Sequence, residues 1–399
     1  MNPAPDALRL ALAGMLALTV TMGIGRFAFT PMLPMMQADA GLTVAQGGWL
    51  ASANYLGYLV GALSALALRA QPAQVIRGGL AAIALLTAGM GLGEQFTLWM
   101  GLRFAAGVAS AWVLVFVSVA CLERLAMLGR PALGGLLFSG VGAGMAIAGL
   151  VCLAAMQSGL RSDTTWLLLG AAAALQSLLP WLCFVPDPRA AATGTPVARA
   201  APVRWDRNAL LLVAAYGLYG FGYIIPATFV PAMAREIVQD PAVFGWSWPL
   251  FGAAAAVSTL VAAALIRVFG NRRVWLACTL VLALGVAAPA AQPGLAAILL
   301  SAVCVGATFV VITLTALQEA RRTAGEGARA LMVALTAAFA AGQILGPLTV
   351  SGLSPGGLAT RGDGAALAGL QGPLWLAAAL LLVSAVMLAV PVRQNASRG

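Results

Sequence analysis

Twelve stretches of the chain are each long and apolar enough to cross a lipid bilayer, and this limits the fold more than any other feature. A spanning helix needs about 20 mainly apolar residues, because the hydrocarbon core is about 30 Å thick and a helix rises about 1.5 Å per residue. Only 9% of the residues are charged, against about a quarter in a soluble domain, so lipid must be the main solvent. We therefore predict an all-α membrane protein with spans at 8–31, 47–68, 74–93, 97–120, 132–156, 164–185, 207–233, 244–267, 274–291, 294–317, 328–351 and 370–391.

The arginines are distributed unequally between the two sides of the predicted membrane. All 22 basic residues are arginine, and 17 of them lie at the termini or in the gaps after even-numbered spans. The gaps after odd-numbered spans hold three, Arg161, Arg235 and Arg361. Because basic residues are enriched in short cytoplasmic loops, this asymmetry predicts a multi-pass inner-membrane protein with both termini in the cytoplasm. It also accounts for the net charge of +10 without a nucleic-acid partner.

The chain repeats itself once. A shift of 197 positions superimposes the first span on the seventh, aligning Gly23, Gly25, Pro34 and Met36 with Gly220, Gly222, Pro231 and Met233. A shift of 199 aligns Gly107 with Gly306. Six spans per repeat give both halves the same orientation, so we predict two six-helix bundles related by a parallel pseudo-two-fold axis. Their bounds are 1–187 and 206–399, joined by a cytoplasmic linker at 188–205 that is rich in Pro, Ala and Arg.

Two sequence blocks carry a resemblance to a known family. The stretch LRFAAGVASA at 102–111 resembles the fourth-helix motif of the major facilitator superfamily, in which an arginine precedes a glycine by four residues. The blocks GIGRFAFTPMLPMMQAD at 23–39 and GWLASANYLGYLVGAL at 48–63 are similar to its YbfB/YjiJ-type subgroup. The resemblance implies a secondary transporter that works by alternating access, with spans 1, 4, 7 and 10 around a central cavity.

Two arginines lie inside spans, Arg26 in the first and Arg103 in the fourth. Counted from the outer ends of their helices, both lie on the order of 10 Å below the periplasmic face. An intramembrane charge costs about 2.5–3.5 kcal/mol, so each side chain needs a partner or water. Two cations at one depth predict an anion site, because the planar guanidinium suits a carboxylate. Two alternatives stay open: Arg26 could reach the outer headgroups or free backbone carbonyls, and Arg103 could tie the fourth helix to an unwound stretch of the first.

Neutral polar side chains complete the predicted substrate site. Tyr216, Tyr219 and Tyr223 share one face of the seventh span, and the 197-residue shift makes Tyr223 the counterpart of Arg26. Their hydroxyls could orient a carboxylate or an aromatic substrate, while an interfacial aromatic belt is the alternative interpretation. Weaker candidates are Asn54 and Tyr58 on the second span and Gln343 on the eleventh.

The residue types missing from the spans narrow the function. No Asp, Glu or His lies in the middle of a span, which argues against a cationic substrate and against proton coupling through a protein carboxylate. The five cysteines are isolated, and we predict neither a metal site nor a cofactor. No nucleophile–base pair or nucleotide-binding loop indicates an enzyme. We predict a monomeric secondary transporter for a small organic anion, with a carboxylate favoured, and a proton or counter-anion as coupling partner. An exporter of hydrophobic or drug-like compounds and a membrane-embedded sensor are the alternatives.

Overall fold

The structure is a computed structural model that describes residues 3–65, 67–186, 203–238, 240–353 and 365–390, and the predicted linker lies almost wholly outside them. The spanning segments of the first half are α1 (Pro3–Leu18) with α2 (Phe29–Asp39), α3 (Val44–Ser64), α4 (Pro72–Gly89), α5 (Phe96–Met127), α6 (Gly134–Gln157), and α7 (Ser162–Gln176) with α8 (Leu178–Cys183). Those of the second half are α9 (Arg207–Ile237), α11 (Ser247–Phe269), α12 (Asn271–Ala291), α13 (Leu295–Ala324), α14 (Ala328–Leu353) and α15 (Ala365–Ala389), with the short α10 (Pro241–Phe244) preceding α11.

The helices agree with the predicted all-α membrane architecture. Among the described residues, eleven helical segments are long and apolar enough to cross a membrane. The remaining predicted span, 47–68, corresponds to α3, whose 21 residues extend for about 30 Å. The fourth and tenth spans are longer than predicted, because α5 and α13 continue past the apolar region to Met127 and Ala324. Multi-pass membrane insertion therefore follows from the described helices.

The first span is interrupted, whereas its apolar run predicts one helix over 8–31. After α1 the backbone widens into a π-helical turn at Thr19–Ile24, and residues 25–28 form turns before α2 begins at Phe29. Pro31 has no N–H to donate to the carbonyl oxygen of Phe27, and Thr30 donates to it instead. The interruption frees backbone carbonyls within the membrane-spanning segment, where each needs another donor.

The packing of the glycines confirms the predicted repeat. A methyl group at Gly107 would meet the backbone of Asn54 on α3, and one at Gly306 would meet the backbone of Phe251 on α11, 197 positions after Asn54. In the same way, Gly23 packs against Gly144 on α6, and its counterpart Gly220 packs against the backbone of Phe339 on α14. Small residues thus let equivalent helix pairs in each half approach to backbone contact.

The two halves meet along similar small-residue surfaces. Gly142 on α6 faces the backbone of Ala256 on α11, and Gly252 on α11 faces the backbone of Ala146 on α6. Helices α3 and α14 form a second contact between the halves. The space between these two contacts holds the site described next.

Candidate functional site

Arg103 on α5 binds the interrupted backbone of the first span. Its Nη1 donates to the carbonyl oxygen of Gly25 at 3.2 Å, and its Nη2 donates to that of Arg26 at 3.1 Å. The side chain is buried, and its guanidinium carbon lies 4.8 Å from the centre of the Phe29 ring. The two terminal nitrogens of Arg103 therefore donate to two of the carbonyls that the interruption frees.

Arg26 lies at this interruption, and its side chain points into the protein interior. Only 2% of the residue is exposed, and the guanidinium carbon lies 3.9 Å from the centre of the Tyr58 ring. Its Nη2 donates to Oε1 of Gln343 on α14, whereas Nε and Nη1 have no hydrogen-bond partner within the described part of the chain. Arg26 is therefore a buried cation with unsatisfied donors.

Gln343 connects Arg26 to the opposite half. A guanidinium carries only donors, so the amide oxygen of Gln343 must face Arg26 and its nitrogen faces away. Gln343 Nε2 donates to the hydroxyl of Tyr223 at 2.5 Å. Because the Tyr223 oxygen accepts this bond, its own O–H remains able to donate to another group.

A small cavity adjoins Arg26 at the interface of the two halves. Its remaining volume is about 20 Å³, room for about one water molecule. The walls are mostly aromatic and aliphatic: Met22, Phe27, Tyr58, Leu114, Phe138 and Val141 from the first half, and Tyr216, Tyr223, Phe309, Val310, Thr313 and Phe339 from the second. The structure is therefore closed around Arg26, and a ligand larger than water needs the halves to separate.

A family comparison identifies this architecture. Residues 18–389 match the family described as "Uncharacterised MFS-type transporter YbfB". The chain belongs to the YbfB-type branch of the major facilitator superfamily. The resemblance of the two sequence blocks is thus confirmed, and the protein is a membrane transporter of that superfamily.

Solved structures show the same fold. This transporter is similar to the human organic anion transporter MFSD10 (TETRAN), with a TM-score of 0.64 and 15% identity over 97% of this chain and 99% of that chain. It is also similar to a single-site mutant of the nucleoside transporter NupG, with a TM-score of 0.64 and 16% identity over 96% of this chain and 98% of that chain. Comparison with curated protein sequences found no match.

The other predicted site residues of this YbfB-type transporter divide into two groups. Tyr58, Tyr216 and Tyr223 line the cavity. Asn54 donates from its amide to the carbonyl oxygen of Arg103 at 2.9 Å, and Tyr219 donates from its hydroxyl to the carbonyl oxygen of Phe309 at 2.7 Å. The side chains of Asn54 and Tyr219 thus support neighbouring helices with their polar groups.

The aromatic walls contributed by Phe27, Phe309 and Phe339 were not predicted from the sequence. The ring of Phe339 lies 5.2–5.4 Å from those of Tyr216, Tyr219 and Tyr223. One signal was present, because Phe339 precedes Gln343 by four residues and so shares its helix face. A phenylalanine in a membrane span is otherwise indistinguishable from one that faces lipid.

The second half also contacts the first through Tyr55, which sequence analysis did not single out. The hydroxyls of Tyr55 on α3 and Thr228 on α9 lie 3.3 Å apart. Together with the contact between Arg26 and Gln343, this gives two polar contacts across the interface near the cavity. Among the described residues, the buried charged side chains are Arg26 and Arg103, and no group of three potential metal ligands comes together.

Proposed function

We propose that this transporter moves a small organic anion, with a carboxylate as the charged group, between its two halves by alternating access. The observation that carries the proposal is the buried Arg26 guanidinium beside the cavity, two of whose nitrogens have no hydrogen-bond partner among the described residues. A buried charged donor without a partner costs several kcal/mol of desolvation free energy. An anion that accepts from Arg26 would remove that cost, so binding energy is available at this position.

The hydrogen-bonding capacity of the cavity favours an anion over a cation. Arg26 offers free donors, and the Tyr223 hydroxyl can donate because its oxygen already accepts from Gln343. The Tyr216 hydroxyl, by contrast, donates to Thr313 at 3.2 Å. No carboxylate is buried among the described residues, so a cationic substrate would meet Arg26 without a compensating charge.

Within this proposal Arg26 contacts the anion, and Arg103 positions Arg26. Arg103 donates to the carbonyl groups of Gly25 and Arg26, which supports the alternative that it ties the fourth span to the first. Its Nε has no hydrogen-bond partner in the described part of the chain, but both of its terminal nitrogens donate to carbonyls. The substrate would then meet one positive charge, held at a defined depth by the second arginine.

The same geometry supports alternating access. A cavity of about 20 Å³ admits no organic acid, so the halves 1–187 and 206–399 would have to separate, with 188–205 as their cytoplasmic linker. The arginine asymmetry supports an inner-membrane location with cytoplasmic termini. We propose a monomer that couples transport through a proton on the substrate or through exchange with a second anion, because the described spans bury no carboxylate.

One observation favours a second candidate, an exporter of hydrophobic compounds. Most of the cavity wall is apolar, and its rings would suit a neutral drug-like molecule as well. The two functions differ in the role of Arg26, because only an anion needs its charge.

The deciding experiment measures ligand affinity by thermal shift with a panel of organic acids and their neutral amides. Charge-assisted hydrogen bonds contribute about 1.5–3 kcal/mol, so Arg26→Ala should weaken acid binding by roughly 10- to 150-fold. Arg161→Ala is the control, because Arg161 is exposed and pairs with Glu94 at 3.1 Å on the surface. Unchanged acid affinity in the folded Arg26→Ala protein would exclude the anion site, and equal binding of acids and amides would favour the hydrophobic exporter.

A further inference from the structure

We propose that the anion taken by this site is a planar aromatic monocarboxylate. The inference rests on the proposed function, since it specifies which organic anion the Arg26 site accepts. Three features carry it: the number of available positive charges, the free edge of the Arg26 guanidinium, and the rings that enclose the cavity.

The cavity offers one positive charge. Arg103 is the second buried cation among the described residues, and its two terminal nitrogens donate to backbone carbonyls. A second carboxylate on the substrate would face apolar walls such as Leu114, Val141 and Val310. Burying an unpaired carboxylate there is strongly unfavourable, so the site selects monoanions over dianions.

Arg26 retains a complete bidentate edge. A guanidinium can bind a carboxylate in a bidentate manner through Nη2 and Nε, or through Nη2 and Nη1. Each of these two modes uses a different N–H of Nη2. Gln343 accepts from Nη2, while Nε and Nη1 are both unpartnered in the described residues. Whichever N–H of Nη2 Gln343 uses, the opposite edge stays free for a carboxylate. The link to Gln343 can therefore persist while the anion is bound.

Rings from both halves line the cavity beside Arg26. Phe27 of the first half meets Phe309 of the second edge-to-face, with centroids 5.9 Å apart and planes at 82°. Within the second half, the rings of Tyr223 and Phe309 are parallel to within 1°, and those of Tyr223 and Phe339 to within 10°. When the halves separate, the Phe27 ring borders the gap on one side and the Phe309 ring borders it on the other. A planar aromatic ring can make offset-stacked and edge-to-face contacts there, which a saturated ring cannot.

The test compares four small probes on the purified full chain by thermal shift and calorimetry. Benzoate is the aromatic monocarboxylate, cyclohexanecarboxylate its saturated counterpart, terephthalate its dianionic counterpart and benzamide its neutral counterpart. We expect benzoate to bind about 3- to 10-fold more tightly than cyclohexanecarboxylate, which is the range that aromatic pairing supports. Terephthalate and benzamide should bind at least about 10-fold more weakly than benzoate, the lower end of the effect of a charge-assisted bond.

Two variants test whether the rings of Phe309 and Phe339 cause the preference for benzoate over cyclohexanecarboxylate. Phe309→Leu and Phe339→Leu should bring the ratio of benzoate to cyclohexanecarboxylate affinity close to one, with cyclohexanecarboxylate affinity changed by less than about two-fold. Phe184→Leu is the control, because Phe184 is buried but follows α8 outside the cavity lining. Retained selectivity in both ring variants would overturn the assignment.

The outcomes separate this inference from the proposed function. If cyclohexanecarboxylate or terephthalate bound as tightly as benzoate and still required Arg26, the aromatic monocarboxylate would be excluded and the anion transporter would stand. If benzamide matched benzoate, or if no carboxylate bound to the folded protein, both proposals would fail.

Discussion

Arg26 and Tyr223 occupy equivalent positions in the two halves, 197 residues apart, and the side chain of Gln343 joins them. Arg26 donates to its amide oxygen, and its amide nitrogen donates to the Tyr223 hydroxyl. All three side chains are buried. The repeat thus places a cation in one half opposite a phenol in the other, and a single amide bridges them where the substrate is proposed to bind.

Replacing Gln343 tests whether Arg26 is available to an anion. In Gln343→Glu the new carboxylate would accept from Arg26 and neutralise it, so we expect anion affinity to fall by roughly 10- to 150-fold. The apolar Gln343→Leu removes the bridge without supplying charge, and should keep benzoate affinity within about three-fold of the parent protein. Calorimetry on both variants gives the comparison.

Thermal stability provides the control for the Gln343 variants. Without ligand, Gln343→Glu should unfold at a higher temperature than Gln343→Leu, because its carboxylate pairs with a cation that leucine leaves unpaired. A Gln343→Glu protein that bound benzoate as well as the parent would contradict the role given to Arg26.

Arg103→Lys should destabilise the protein nearly as much as Arg103→Ala. Lysine keeps the charge but replaces two separated nitrogens with one, so it leaves a carbonyl of the interrupted first span without a donor. An orphaned buried acceptor costs about 1–3 kcal/mol. The measurement is the midpoint of thermal unfolding, with the exposed Arg161→Ala as a variant that should stay close to the parent.

A double mutant distinguishes the two roles predicted for the intramembrane arginines. If Arg103 acts only by holding the backbone, Arg26→Ala/Arg103→Ala should bind benzoate no more weakly than Arg26→Ala alone. A further loss of about 10-fold in the double mutant would show that Arg103 also contacts the anion, as the sequence-based anion site expects. Both proteins must elute as folded monodisperse species.

Gly107→Ala should lower stability, whereas Gly101→Ala on the same helix should not. A methyl group at Gly107 would lie 2.8 Å from the backbone nitrogen of Tyr58, while one at Gly101 would meet nothing within 4 Å. Forcing α3 away from α5 typically costs about 1–3 kcal/mol and would displace the Tyr58 ring from Arg26. Equal melting midpoints for the two variants would refute this close packing.

Reporter fusions after residues 195 and 399 should both report the cytoplasm. The expectation rests on the excess of arginine at the termini and in the gaps after even-numbered spans. Both fusion positions lie outside the described residues. A periplasmic signal from either fusion would reverse the proposed orientation.

Much of the fold was predictable because few kinds of structure can span a bilayer. Apolar runs of about 20 residues must become helices, since lipid offers no partner for an open backbone. The glycines that mark the repeat, such as Gly107 and Gly306, are visible in the sequence because helices that pack closely need small residues at fixed spacings. The cationic character of the site was visible for a related reason, since an arginine inside a span is costly and therefore unusual.

Only the tertiary structure could distinguish the roles of Arg26 and Arg103. Arg26 and Arg103 look alike in sequence, but both terminal nitrogens of Arg103 donate to carbonyls that the break in the first span exposes. Two nitrogens of Arg26, by contrast, have no hydrogen-bond partner among the residues that the structure describes. The partner of Arg26 is 317 residues away in the chain, and the rings of Phe309 on α13 and Phe339 on α14 reach the same space. Local sequence determines which segments become helices and roughly where the membrane lies. Which side chains meet depends on how those helices rotate and pack, and that is decided by contacts between distant segments.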